Sequence, residues 1–168
     1  PLTARVAVNH IWLRRFGTPL VENVFDFGLR SPRPEHADLL DWLAVELMDH
    51  DWKMKHIHRL IVNSQAYRLS SSLKDAPQQS AAADPDNRLY WRMNSRRLEA
   101  EAVRDSVLHV AGNLDAKLGG PDIAEDQSQT SRRRSVYLRH AYEKKAKFLE
   151  LFDAANESDC YRRSESIV

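Results

Sequence analysis

Large apolar side chains recur at helical spacing along much of the chain, a pattern that predicts a protein built mainly from α-helices. In Leu2–Phe16 the apolar positions lie near one stripe, and Gly17 suits the left-handed position that ends many helices. Residues 35–50 and 53–67 show the same spacing. We therefore predict three helices in the first 67 residues.

Residues 98–112 are predicted as the next long helix. Val103, Val107 and Val110 recur there at positions i, i+4 and i+7, and Leu114 follows at i+11. Since the apolar stripes of helices bury against one another, we expect this stripe to face the core.

Polar and small residues separate the predicted helices. Residues 70–87 lack periodic large apolar side chains and predict a flexible internal loop, at whose end a short helix over 84–91 begins. Residues 135–138 are the best strand candidate, and 144–152 predict a last short helix. The predicted fold is mainly α, a single irregular multi-helix domain over 1–168 with long loops and at most a short strand or hairpin near 135–138. We also expect the chain to be an excerpt of a longer protein.

Composition excludes several classes of protein. The 168 residues are 42% hydrophobic and 29% charged, which fits a folded domain. The longest apolar run is four residues, whereas a membrane-spanning helix needs about 20. The net charge of +1 gives no global reason to expect a polyanion partner. The single cysteine, Cys160, excludes an internal disulfide, a haem-attachment pair and a multi-cysteine metal site.

The helix predicted at 98–112 carries the densest set of candidate catalytic groups. Glu101 and Asp105 are i and i+4, so their carboxylates lie side by side, with Arg97 and Arg104 on adjacent positions. One interpretation is a carboxylate pair whose repulsion raises one pKa for acid–base chemistry. The other, which we favour, is a salt-bridged helix face.

Two histidines close in sequence invite a metal interpretation that their spacing does not support. His56 and His58 are i and i+2, which places them about 200° apart on a helix, so they cannot bind one ion together. His10, His36, His109 and His140 show no ligand spacing, and we predict no metal site and no cofactor within this chain. His58 and the neighbouring Arg59 remain candidates for proton transfer and anion binding.

The strongest local charge lies late in the chain. Seven of the 16 residues at 132–147 are Lys or Arg and one is acidic, a local charge of +6. This predicts a polyanion-binding patch, for nucleic acid or for acidic or sulfated polysaccharide. No helix-turn-helix, zinc-finger or RNA-binding strand motif favours nucleic acid. The candidate binding residues are Arg96, Arg97, Arg132, Arg133, Arg134, Lys144 and Lys145.

A series of short motifs runs along nearly the whole chain outside residues 70–83. They comprise Arg5, Asn9 and Trp12, then Phe16 and Gly17, Asp26 to Gly28, and the stretches 39–44, 58–61, 84–89, 96–101, 119–121 and 133–137. Together they resemble the planctomycete-specific C-terminal domain of unknown function, family 1553, which is found in large proteins with cytochrome c-like domains.

The resemblance implies a context more than a reaction. It implies an exported or periplasmic multidomain protein whose neighbouring domain could hold haem c, with neighbouring domains of the same polypeptide as partners. It also points to recurring polar positions without giving them roles: Arg59, Arg68, Arg88, Arg96, Arg97, Glu101, Arg104 and Asp105.

Three functional hypotheses follow. The leading one is a helical accessory or interaction module of a larger exported protein, whose Arg, Glu and Asp network holds its helices together or docks a neighbouring domain. The second is the catalytic or substrate-binding part of an enzyme that acts on polysaccharide or is coupled to haem redox chemistry. Its residues would be Glu101 and Asp105 as acid and base, Arg104 and Arg59 as anion clamps, and His58 as proton carrier. The third is a polyanion binder that uses residues 132–147.

Overall fold

The structure, a computed structural model, describes residues 1–29, 31–74, 77–141, 146–152 and 154. It confirms the mainly helical fold. Over these residues the α-helices are α1 (Leu2–Phe16), α2 (Ala37–Asp49), α3 (Met54–Asn63), α4 (Gln78–Ala83), α5 (Ala100–Val110) and α6 (Lys147–Leu151). None of the helices in this part of the chain is long and apolar enough to cross a membrane.

The chain divides into two compact units, which we call unit 1 (Pro1–Arg96) and unit 2 (Arg97–Val168). Two such units can belong to one structural domain, so the expectation of a single domain over 1–168 stays a prediction.

Unit 1 is built on three mutually packed helices. α1 contacts α2 and α3, and α2 contacts α3. α1 has the predicted bounds and ends at Gly17, whose φ of 80° is the left-handed conformation that glycine adopts without a Cβ clash. The largest fully buried apolar side chains of this core are Val8, Phe16, Leu43, Leu47 and Ile57.

An aromatic cluster ties residues 84–94 to α1. Trp12 and Phe16 stack with ring centroids 4.1 Å apart, and Tyr90 packs edge-on against them at 5.4 and 5.1 Å. The indole Nε1 of Trp12 donates a hydrogen bond of 2.8 Å to the Tyr90 hydroxyl. This contact joins positions 78 residues apart in sequence, so it closes unit 1.

A buried asparagine holds the chain that leaves α1. Asn9 is 0% exposed, and its Nδ2 donates to the Val21 carbonyl at 3.1 Å. Its Oδ1 accepts the Val21 N–H at 2.9 Å. The amide thus satisfies both backbone polar groups of Val21, which is itself buried.

The predicted short helix over 84–91 is wrong. The buried carboxylate of Asp84 accepts two backbone N–H groups, from Arg88 and the residue after it, at 2.9 and 2.8 Å. Asn87 and Tyr90 have φ values of 56° and 54°, which no α-helix contains. Side chains that bond to the local backbone have replaced helical hydrogen bonds here.

The predicted loop 70–87 contains the short helix α4. Three consecutive alanines, 81–83, favour the helical conformation but supply no large side chain for a periodic pattern to detect. The flexibility of the segment stays a prediction.

Unit 2 joins α5 to irregular segments. α5 contacts α6 and the 3-10 turn Ser135–Tyr137. The apolar core of unit 2 contains Ala100, Ile123 and Leu138. The candidate strand 135–138 forms this 3-10 turn instead of an extended strand. Leu138, which follows the turn, makes an isolated parallel bridge with Ile123.

The expectation that the Val103 to Leu114 stripe faces the core is wrong for Val107 and Val110, whereas Val103 and Leu114 are half-buried. Val107 is 56% exposed and Val110 is 87% exposed, whereas Ala100 and Arg104 are the buried positions of α5. With 3.6 residues per turn, the stripe lies roughly a quarter turn around the helix from Arg104. α5 therefore packs by a face that carries an arginine, which apolar periodicity does not identify.

We predict that Asn9→Ala lowers the free energy of unfolding by about 2–3 kcal/mol, because the buried N–H and C=O of Val21 both lose a partner. Denaturant unfolding followed by tryptophan fluorescence measures this change, since all four tryptophans lie at positions 12, 42, 52 and 91 in unit 1. The control is Asn63→Ala, at an exposed position of α3, with an expected change within about 0.5 kcal/mol. Equal losses in the two variants would contradict the role of Asn9.

Candidate functional site

The buried guanidinium of Arg104 is the centre of the polar network in unit 2. Arg104 is only 6% exposed, and residues 128–135 surround its guanidinium. It donates to the carbonyls of Ser128 (3.1 Å), Ser131 (2.5 Å) and Arg133 (3.0 Å) and to the hydroxyl of Ser135 (3.1 Å). Four of the five N–H donors of this side chain are thus bonded to one segment.

The next residue of α5 fastens the end of the same segment. Asp105 Oδ1 accepts the backbone N–H of Ser135 at 2.8 Å and its hydroxyl at 2.7 Å. Its other oxygen lies 3.8 Å from Nε of Arg134, and Oδ1 lies 3.9 Å from Nη1 of Arg104. Arg104 and Asp105 therefore clamp residues 128–135 onto α5 from two adjacent positions.

The electrostatics of the pair fit a structural role. Burial lowers the pKa of Arg104, and the neighbouring Asp105 carboxylate partly offsets that shift. A guanidinium remains charged even so. Backbone carbonyls of the protein solvate its charge. In an anion-binding site, by contrast, the N–H groups of the guanidinium would be available to the ligand.

The other acid and base candidates lie in different parts of the chain. Glu101 is half-buried on α5 of unit 2, while His58 and the exposed Arg59 lie on α3 of unit 1. Nδ1 of His58 accepts a hydrogen bond from Nε of Arg15 at 3.1 Å. Roles for these residues in catalysis stay predictions.

The basic segment is engaged in several internal contacts. Arg133 lies over the ring of Tyr137 at 4.0 Å and donates to the Pro121 carbonyl at 2.8 Å. Arg139 forms an ion pair of 2.5 Å with Asp122, and this hydrogen bond lowers the pKa of the carboxyl.

The other candidate binding residues divide between exposed positions and positions outside the described residues. Arg132 and Arg134 are exposed, as are Arg96 and Arg97 at the boundary of the two units. Lys144 and Lys145 lie outside the described residues. Binding of an acidic or sulfated polysaccharide by this segment stays a prediction.

A second polar cluster, which the sequence pattern did not predict, lies where α2 turns into α3. Glu46 and His50 are i and i+4 on α2, and His56 lies in the first turn of α3. One ligand atom from each of these three side chains lies within 4.8 Å of the other two. The sequence contains this spacing, E-x3-H-x5-H. It brings His56 close to the other two residues only if the chain reverses direction between α2 and α3.

Comparison with known proteins places the chain in a family. The family model PSD1, described as a protein of unknown function (DUF1553), matches residues 1–168. The chain belongs to the DUF1553 family. No curated protein and no solved structure matched it. The family description names no reaction.

We predict that Arg104→Met loosens unit 2 of the DUF1553 chain. Three carbonyls and a hydroxyl would lose their donor, at a cost of about 3–4 kcal/mol, so hydrogen exchange of protected amides in 100–138 should accelerate roughly 100- to 1,000-fold. Mass spectrometry of hydrogen exchange resolves this segment from unit 1. Arg132→Met, at an exposed position of the same segment, should leave exchange unchanged; equal acceleration would contradict the clamp.

His58 is predicted to make unit 1 less stable in acid. Burial, followed by the charge of Arg15, lowers the pKa of His58 below 6.5. The unfolded chain then takes up the proton more readily than the folded one, so stability falls as the pH drops below about 6.5. Tryptophan-monitored denaturation at pH values of about 7.5 and 5.5 should show a smaller acid loss in His58→Gln than in the parent. His109→Gln, at an exposed position on α5, should keep the parental loss.

Proposed function

We propose that this DUF1553 chain is a helical accessory module of a larger exported multidomain protein, and that α5 docks a neighbouring domain of the same polypeptide. The proposed setting, with a cytochrome c-like neighbour that holds haem c, follows from the resemblance of the sequence motifs. The docking surface is argued from the contacts of α5.

The observation that carries the proposal is the exposed apolar stripe of α5. Val107 and Val110 are neighbours on the helix surface at i and i+3, and they are 56% and 87% exposed. Val103 is half-buried beside them. Single exposed apolar residues are common, but a stripe of valines at helical spacing is typical of a helix face that packs against another element.

Covering this stripe would supply a useful binding energy. Full burial of a valine side chain contributes about 1.5 kcal/mol or more relative to exposure. Two such residues add up to a few kcal/mol, enough to orient a domain already tethered by the polypeptide, for which the effective concentration is high.

The inward-facing charges favour this function over the enzyme hypothesis. Arg104 donates to backbone carbonyls, and Asp105 accepts from Ser135, so both groups serve to hold the segment 128–135. Because this clamp fixes the face of α5 on which these residues lie, the valine stripe is held in a defined orientation. A rigid helix with a presented apolar face is what a docking module needs.

Cysteine labelling tests the proposal directly. Cys160→Ser removes the native thiol, and Val110→Cys then places a single thiol on the stripe. We expect maleimide to label this cysteine at least about tenfold more slowly in the natural polypeptide with its neighbouring domains than in the 168-residue chain alone, because a docked domain shields the side chain.

The matched control is Val136→Cys in the same background. Val136 is 67% exposed, also in unit 2, and lies outside the stripe. Its labelling rate should be equal in the two proteins. If Val110→Cys is also labelled equally fast in both, no neighbouring domain covers the stripe and the proposed docking is wrong.

A further inference from the structure

We propose that Glu46, His50 and His56 form a zinc-binding site between α2 and α3. The site is independent of the docking function of α5, since all three residues belong to unit 1. Two imidazoles and one carboxylate are a donor set that zinc takes in proteins, with water in the fourth position.

The three side chains converge on one carboxylate oxygen. Oε2 of Glu46 lies 2.9 Å from Nε2 of His56 and 3.5 Å from Nδ1 of His50. In tetrahedral zinc sites with metal–ligand bonds of about 2.0–2.2 Å, neighbouring ligand atoms are roughly 3.3 Å apart. Both distances are within about 0.4 Å of that spacing, and all three ligand atoms lie within 4.8 Å of one another. Binding would require the stacked imidazole rings to rotate so that one nitrogen of each faces the ion.

The backbone between the helices produces this convergence. Asp51 and Trp52 both have left-handed conformations, with φ values of 56° and 59°, and the Trp52 N–H donates to the Leu47 carbonyl at 2.9 Å. This tight reversal brings the rings of His50 and His56 into a stack with centroids 3.6 Å apart and planes inclined by 12°.

The degree of exposure suits an exchangeable ion. The side chains of Glu46 and His56 are 26% and 24% exposed, and that of His50 is 46% exposed. Solvent can therefore reach the site and supply the remaining ligand. Mg²⁺ and Ca²⁺ prefer all-oxygen sites, whereas imidazole nitrogens select zinc and its neighbours among the transition metals.

One hydrogen bond has to be given up for the ion to bind. Nδ1 of His50 lies 2.9 Å from the backbone carbonyl of Glu46, and the metal would take the lone pair of this nitrogen. The competing interpretation is that the cluster is only a hydrogen-bonded Glu46–His56 pair with a stacked neighbour. That interpretation predicts no stoichiometric metal binding, so the two can be separated by titration.

The test is a metal titration of the tag-free 168-residue chain after removal of metals with a chelator. We expect one equivalent of Co²⁺ to give the intense visible absorption of a tetrahedral site, and Zn²⁺ to displace it. Calorimetry should give one-to-one Zn²⁺ binding, and saturating Zn²⁺ should raise the Tm by several degrees.

Variants assign the ligands. His50→Ala, His56→Ala and Glu46→Gln should each raise the Kd for Zn²⁺ about tenfold or more. His58→Ala is the matched control on α3, since His58 faces Arg15, and it should keep the parental Kd. Circular dichroism must show the parental helix content in every variant. Absence of one-to-one binding, or binding that survives in the His50→Ala/His56→Ala double variant, would overturn the proposed site.

Discussion

Backbone polar groups in the irregular segments must be satisfied, and in this protein single side chains meet that constraint. Among the described residues most connections between helices are long and form no extended sheet, so carbonyl and N–H groups near the core need other partners. Asn9 bonds to the backbone of Val21, Asp84 accepts backbone N–H groups of the turn that follows it, and Arg104 donates to carbonyls of the segment 128–135. These few polar side chains fix the irregular segments of both units beside their apolar cores.

The same constraint explains which parts of the fold could be predicted from the sequence. α1 to α3 bury broad apolar faces, so their periodic pattern predicted where they lie. For α1 both end residues were predicted correctly. α5 was located correctly but oriented wrongly, because its buried face is centred on an arginine whose partners lie 24 to 31 residues further along the chain. No local pattern contains that information.

The candidate sites divide in a similar way. Arg104 and Asp105 were singled out because charges crowd one helix, and the structure does bring them to a common segment, where they hold the fold. Glu46, His50 and His56 were missed because their proximity depends on two consecutive left-handed residues, neither of them glycine, between α2 and α3. Spacing alone predicts ligand sets on one helix but not across a turn.

The long sequence separation of the Arg104 contacts also sets an order of events during synthesis. All residues of the aromatic cluster of unit 1 are outside the ribosome once Tyr90 has left it, so unit 1 can fold first. Arg104 gains its last partner only when Ser135 has also left the ribosome, 31 residues later, which takes on the order of 2–6 s at typical elongation rates. During that interval the guanidinium of Arg104 is in water and the segment 128–135 is not yet held against α5, so unit 2 lacks the clamp that fixes its irregular part.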